Sequence, residues 1–160
     1  MCSSDLKVNG SDCCRYTYAS MTAGAVGSLV IYDHLLGKDW KSDAAVRLGM
    51  EWLTTNFSVT WNYKWGREIP GDPENQGAHF YYLYALERLG MFTGQEKMGR
   101  HEWYPEGATV LLERQRPDGS WLDVPLDNQP VWDTCFSILF LRRATRPLAD
   151  VPSVDRLQKK

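Results

Sequence analysis

The sequence has few of the features that mark a secreted, membrane-spanning or nucleic-acid-binding chain. Its 4 cysteines include an adjacent pair, Cys13 and Cys14, but no zinc-type CxxC pair, so reduced thiols are expected. No apolar run approaches the ~20 residues that cross a bilayer. The net charge of −2 leaves no basic stripe for nucleic acid. The N-terminus lacks the basic cluster and apolar core of a secretory signal, and a cytoplasmic or membrane-associated chain is expected.

Aromatic side chains, in contrast, are abundant. The 160 residues include 7 Trp, 8 Tyr and 5 Phe. With 43% hydrophobic residues, the chain can form one domain with a real core. Most of the rings are expected to fill that core, although an excess of aromatic residues can also line an apolar ligand cavity.

The two ends of the chain are predicted to differ from its middle. The first six residues, MCSSDL, correspond to a translation of the end of a common sequencing adapter. Residues 1–14 are therefore predicted to be non-native or disordered, and the chain to be the C-terminal fragment of a longer protein. The folded domain is predicted to span residues 15–147, followed by a loosely ordered tail over 148–160.

Five segments have helical patterns, and none shows the alternation of a strand. The predicted helices cover residues 20–36, 42–57, 77–92, 105–114 and 131–144. Gly37 is expected to end the first helix, Ser42 to cap the second, and Pro105 suits the first turn of the fourth. A long polar loop is predicted over 64–77. The fold class is therefore all-α.

The helices carry a faint internal repeat. At an offset of 58 residues, Gly49 aligns with Gly107 and Leu53 with Leu111. The odd-numbered helices repeat as well, at intervals of 57 and 53 residues between Leu29, Leu86 and Leu139. Such a period predicts stacked helical hairpins that cover one another's apolar faces, with chance similarity between amphipathic helices as the alternative.

The stretch EGATVLLERQRPDGSW resembles the QW repeat of terpenoid cyclases, with Gln115, Gly119 and Trp121 in the order of that motif. Over about residues 15–145 the helices are similar to those of prenyltransferase and squalene-oxidase repeat proteins, especially bacterial squalene-cyclase-like proteins. The resemblance implies a partial (α/α) toroid of about five helices. In it Gln115 caps an outer helix and Trp121 stacks on the amide, because a side-chain amide can satisfy open helix-end groups. These residues are thus expected to be structural.

By the same resemblance, the first, third and fifth helices face a central aromatic cavity that receives an isoprenoid-type lipid. Aromatic rings in such a cavity stabilise cationic intermediates. The expected partners are an apolar small molecule and the missing remainder of the same toroid, and no cofactor is implied. Two alternatives stay open: a non-catalytic helical-repeat binding module, and an (α/α)-barrel enzyme that acts on carbohydrate.

The segment PVWDTC, residues 130–135, is the candidate catalytic motif. It is similar to the DxDDT acid motif of squalene–hopene-type cyclases, in which a central aspartate protonates an alkene. Only Asp133 and Thr134 match, because Pro130 and Trp132 stand where that motif has its other acids. An isolated aspartate at a helix start is more simply an N-cap. The fragment is therefore expected to lack a complete catalytic set and to be inactive alone.

The same letters also resemble the Asp-x-Cys zinc half-site of protein prenyltransferase β subunits. In that family a histidine on a later repeat completes the site, whereas His34, His79 and His101 all precede Asp133. Two ligands two residues apart do not make a tetrahedral site. No bound metal is predicted, and Cys135 is expected to pack in the core.

The candidate ligand-binding side chains lie on the predicted inner helices. His79, Tyr81 and Tyr82 belong to the third helix, and Trp132 belongs to the fifth. Histidine and tyrosine at the mouth of an (α/α) barrel also carry protons in polysaccharide lyases and glycosidases, which is the basis of the carbohydrate alternative. Because adjacent residues of a helix point in different directions, these side chains are not all expected to face one cavity.

Overall fold

A computed structural model describes residues 18–63, 78–122 and 130–148. Within these ranges the chain forms five α-helices and no β-strand, which confirms the all-α prediction. The helices are α1 (Ala19–Leu35), α2 (Ala44–Thr55), α3 (His79–Thr93), α4 (Trp103–Arg114) and α5 (Pro130–Leu141). The predicted N-terminal segment 1–14, the predicted loop 64–77 and all of the predicted tail except Leu148 lie outside the described residues.

The start of α2 differs from the prediction. Ser42 does not cap this helix, since it closes a short 3₁₀ turn, Trp40–Ser42, and Asp43 is the cap instead. The Asp43 carboxylate accepts hydrogen bonds from the N–H groups of Ala45 and Val46, at 2.6 and 3.3 Å. A carboxylate at this position satisfies free amides and also favours the positive end of the helix dipole.

Helix α3 lies at the centre of the domain. It packs between α1 and α5, so these three helices form one row. Helix α2 packs on α1, and α4 packs on both α3 and α5. Leu83, Leu86 and Leu89 of α3 are completely buried in the shared core.

Gly49 of α2 meets Val26 of α1, and Gly90 of α3 meets Trp103 of α4. Val26 and Gly90 lie on the faces of α1 and α3 roughly opposite to Gly24 and Tyr81, because residues two or nine apart differ by about half a turn around a helix. Helices α2 and α4 therefore cover the side of the row away from Tyr81.

The three helices of the row end in the same way. Gly37 after α1 and Gly94 after α3 adopt positive φ angles of 69° and 66°, which glycine allows at no steric cost. Arg143 takes the equivalent place after α5, with φ 46°. In each case the following N–H donates to the carbonyl five residues back, at 2.8 Å after α1 and 3.1 Å after α3 and α5. The backbone of Arg143 is left-handed, and its guanidinium group lies over the rings of Trp103 and Tyr104.

The 58-residue offset has a structural counterpart in α2 and α4. A Cβ atom added at Gly49 would collide with Val26 of α1, and one added at Gly107 would lie 2.5 Å from Cζ of Phe140 in α5. The aligned leucines, four residues further on in each helix, are both buried. The repeat therefore marks positions of close helix packing, although Gly49 meets the preceding helix and Gly107 meets the following one.

The segment 115–121 closes the end of α4. The buried indole of Trp121 donates from Nε1 to the carbonyl of Leu111 in the last turn of α4, at 2.8 Å. The Gln115 side chain donates from Nε2 to the Gly119 carbonyl, at 3.0 Å. The indole thus satisfies the helix-end carbonyl, while the amide closes the turn. These are not the roles that the resemblance implies for Gln115 and Trp121.

The backbone of Trp121 also connects α4 to α5. Its N–H donates to Oγ1 of Thr134, at 3.1 Å. The same hydroxyl lies 3.5 Å from the Trp121 carbonyl oxygen, to which it donates. The threonine of the candidate acid motif therefore serves to hold the start of α5 against the turn after α4.

Candidate functional site: a groove with an aromatic wall

A groove runs between α1 and α3, on the side of the row opposite α2 and α4. Its volume of ≈ 310 Å³ lies at the lower end of the ~300–1,000 Å³ that small-molecule sites span. The α1 wall consists mainly of small residues: Ala23, Gly24, Ala25, Gly27 and Ser28. The α3 wall consists mainly of rings and one cation: Tyr81, Tyr84, Arg88 and Phe92. At its edge Met21 of α1 is 53% exposed, so an apolar side chain faces solvent there.

The small residues of α1 allow the rings of α3 to lie close to the α1 backbone. A methyl group at Gly24 would stand 3.6 Å from the Tyr81 hydroxyl oxygen, and one at Gly27 would stand 3.8 Å from Phe92 Cδ2. Both are ordinary van der Waals distances, so even an added methyl group would fit against the α3 rings without strain.

The rings of the groove continue onto α5. The ring centroid of Phe136 lies 5.5 Å from that of Tyr81 and 5.2 Å from that of Tyr84. Trp132 lies one helical turn before Phe136, on the same face of α5, and is 59% exposed. We call the surface formed by these four side chains and Phe92 the aromatic face. It extends from the groove across the exposed side of the row.

Arg88 is the one cation in the groove lining among the described residues. Its guanidinium carbon lies 5.5 Å from the ring centroid of Tyr84 and 5.3 Å from that of Phe92. Its Nη1 donates to the Tyr84 hydroxyl oxygen, at 3.4 Å. In the described part of the chain no carboxylate lies within ion-pairing distance of this guanidinium. Its charge is therefore stabilised by ring faces and solvent rather than by a fixed anion.

His79 does not face the groove, because it is completely buried at the start of α3. Its Nε2 lies 2.8 Å from the Val59 carbonyl oxygen, and its Nδ1 lies 3.1 Å from Nη1 of Arg114. Since arginine only donates, Nδ1 must be the acceptor and Nε2 carries the proton. Arg114 also donates from Nη2 to the Thr60 carbonyl, at 2.8 Å. We call this arrangement the His79 clasp, and it fastens the segment after α2 to α3 and α4.

The environment of the clasp keeps the imidazole neutral. Burial, together with the Arg114 charge beside it, lowers the pKa of His79 to about 4, against the opposing effect of the Val59 hydrogen bond. A neutral histidine donates and accepts at once, which the clasp requires. Its place in the core gives His79 a structural role, and no ligand in the groove would contact it.

Two further titratable side chains of α3 are buried away from the groove. Burial raises the pKa of Tyr82, opposed by a hydrogen bond with the Ser58 backbone. Burial also raises the pKa of Glu87, whose carboxylate accepts hydrogen bonds from the N–H and the hydroxyl of Thr145 at 3.1 and 2.6 Å. Of the four predicted ligand-binding residues, only Tyr81 lines the groove; Trp132 lies on the adjoining surface.

The structure changes the interpretation of the PVWDTC segment. Because α5 begins at Pro130, Asp133 lies within the first turn, and the prediction that it caps the helix is wrong. Its carbonyl accepts a hydrogen bond from Ser137 Oγ at 2.8 Å. Cys135 is exposed rather than packed in the core, contrary to the prediction. Asp133 is not among the residues that line the groove.

Among residues 18–63, 78–122 and 130–148, no group of three or more His, Cys, Asp or Glu side chains is placed to bind a metal ion. Each described helix is too short or too polar to span a membrane.

Comparison with known proteins identifies no relative of this chain. No family model, no curated protein and no solved structure matches the chain. The resemblance to terpenoid cyclases therefore stays a prediction based on the sequence motif.

The groove contains two residues, Arg88 and Phe92, that the sequence interpretation overlooked. Tyr84, Arg88 and Phe92 follow Tyr81 at spacings of three, four and four residues, which places all four side chains on one face of α3. This spacing was available in the sequence. It was obscured because the neighbouring residues, including Tyr82, are also aromatic or apolar, so both faces of α3 look alike.

Proposed function

We propose that this chain is a helical-hairpin domain of the terpenoid cyclase type that binds an isoprenoid-type apolar ligand along its aromatic face. In this proposal α1, α3 and α5 are inner helices of an (α/α) toroid, α2 and α4 are outer helices, and further hairpins complete the ring. The observation that carries the proposal is the groove between α1 and α3, with small residues on one wall and rings on the other.

An isoprenoid chain is chemically suited to such a groove. Each methylene or methyl group removed from water contributes roughly 0.8 kcal/mol. The small α1 residues leave room for the branches of the chain, while Tyr81, Tyr84 and Phe92 offer flat apolar surfaces. The exposed ring of Trp132 and the partly buried ring of Phe136 would extend the same surface beyond the groove. The exposed apolar area of Trp132 and Met21 supports a binding role.

The proposal is one of binding rather than proton transfer. No carboxyl group lines the groove among the described residues. Asp133 lies in the first turn of α5 and is not among the residues that line the groove. We therefore expect that the chain alone does not cyclise squalene. His79 does not support the alternative of a carbohydrate-active enzyme, because both nitrogens of its imidazole are hydrogen-bonded within the clasp.

The test is an isothermal titration calorimetry experiment on the purified chain. Farnesol is the ligand, and its concentration is kept below the limit at which farnesol aggregates. Ser28 is exposed on the α1 wall, so Ser28→Trp should fill the groove with an indole. The matched control is Leu112→Trp, because Leu112 is 63% exposed on α4 and outside the groove lining. We expect the parent and Leu112→Trp to bind equally and Ser28→Trp to bind at least ~10-fold more weakly, the equivalent of ~1.4 kcal/mol.

Two results would contradict the proposal. The parent chain could show no saturable binding of farnesol at all. Alternatively, both tryptophan variants could bind as the parent does, which would mean that the ligand occupies another surface. Circular dichroism of each variant should remain helical, so that a loss of binding reports on the groove and not on the fold.

A further inference from the structure

We infer that the groove selects an anionic amphiphile, whose single negatively charged head group pairs with Arg88 while its apolar chain lies against the rings. This inference rests on the proposed function and adds the chemistry of the head group. It is independent of the toroid, since it needs only α1 and α3.

The position of Arg88 supports this assignment. The guanidinium group lies in the groove lining between the rings of Tyr84 and Phe92, so it is held at a defined place rather than free to sample solvent. Ring faces attract the cation but leave donors at the guanidinium edge unused. Only one of its five N–H groups is bonded within the described chain, to the Tyr84 hydroxyl at 3.4 Å. A carboxylate or phosphate matches the geometry of the remaining donors.

The charged residues around the groove also favour an anionic head group. The described lining contains Arg88 and no acidic residue. The nearest acid along the chain, Glu87, is buried on another side of α3 and bonded to Thr145. The Tyr81 and Tyr84 hydroxyls lie in the same lining and are able to donate to an anion. An apolar groove with a single cation and no anion is complementary to a ligand with an anionic head and an apolar tail.

The experiment compares two ligands with one hydrocarbon chain, farnesol and farnesoic acid, at pH 8 and low salt. We expect the acid to bind about tenfold more tightly, since a charge-assisted hydrogen bond in a partly desolvated site commonly has this effect. Arg88→Met keeps an apolar stem beside the rings but removes the charge, so it should abolish the preference for the acid. Arg88→Lys should retain part of it. Added salt should weaken the binding of the acid and leave that of farnesol unchanged.

The outcomes separate this inference from the proposed function. Equal affinities for the two ligands, or a preference for the acid that survives in Arg88→Met, would overturn the role of Arg88 while leaving the apolar groove in place. Failure of both ligands to bind would overturn both proposals. Circular dichroism and thermal unfolding of Arg88→Met serve as the control that this variant is folded like the parent.

Discussion

The two faces of α3 contain similar residues in opposite surroundings. Tyr82 and His79 are completely buried, and each has a protein partner for its polar atom. Tyr81, the neighbour of Tyr82, is 36% exposed, and Arg88 on the same face pairs with rings rather than with a carboxylate. Burial fixes both the partner and the protonation state of a polar group. The buried face thus holds the fold together, while the groove face keeps polar and aromatic groups available to a ligand.

The largest expected effect is a loss of stability at a buried tryptophan, which we compare with an exposed tryptophan. Trp121 is 3% exposed and its indole donates to Leu111, so Trp121→Ala should destabilise the chain by ~3–5 kcal/mol. Trp132 is largely exposed on the aromatic face, and Trp132→Ala should change stability by no more than ~0.5 kcal/mol. Urea unfolding followed by circular dichroism measures both. Equal costs for the two substitutions would mean that the contrast between core and aromatic face is wrong.

The second prediction concerns the pH dependence of the His79 clasp. Because the folded pKa is about 4 and the unfolded value is 6.5, the unfolded chain binds the proton more readily between these values. The contribution of the clasp is therefore complete above pH 6.5 and is lost as the pH falls toward 4. The loss amounts to about 3 kcal/mol.

The His79 contribution has to be isolated from that of Glu87. A carboxyl group with a raised pKa loses its stabilising contribution as the pH rises, which is the opposite direction. His79→Gln stays neutral at every pH and retains a donor for the Val59 carbonyl. The difference in unfolding free energy between the parent and this variant should shrink as the pH falls from 6.5 to 4. A difference that is constant with pH would show that the imidazole titrates normally.

The third prediction compares two helical glycines. A methyl group at Gly107 would lie 2.5 Å from the buried ring of Phe140, so Gly107→Ala should cost ~1–3 kcal/mol. At Gly24 the nearest atom is the Tyr81 hydroxyl at 3.6 Å, so Gly24→Ala should instead stabilise α1 by up to ~1 kcal/mol through helix propensity. Thermal unfolding should show opposite shifts. A loss of stability at both positions would indicate that the groove is as tightly packed as the core.

Local chemistry explains which parts of the fold the sequence predicts well. Gly37 ends α1 as predicted, because a left-handed turn after a helix favours glycine regardless of the surroundings. The turn after α5 uses Arg143 instead, whose guanidinium group contacts the rings of Trp103 and Tyr104 and pairs with Glu96 at 3.1 Å. Long-range contacts of this kind leave no local signal in the sequence, so the predicted fifth helix ran three residues too far.

The candidate site was predicted less well than the fold. Among the predicted ligand-binding residues of α3, only Tyr81 reached the groove, because an apolar helix gives no indication of which face its neighbours cover. Asp133 and Cys135 were interpreted from short motifs, and the actual start of α5 places them differently. The spacing of Tyr81, Tyr84 and Arg88 identifies one face of α3. Only the position of α1 shows that this face, and not the opposite one, lines the groove.

The most direct test of the account uses the methionine methyl groups as reporters. Met21 lies at the edge of the groove, whereas Met98 is buried outside its lining. With carbon-13 in these methyl groups and Met21→Leu and Met98→Leu to assign the signals, farnesol is titrated while the NMR spectrum is followed. We expect a saturable shift of the Met21 signal and a stationary Met98 signal. A stationary Met21 signal while Met98 shifts, or no saturable shift at either methyl group, would contradict binding in the groove.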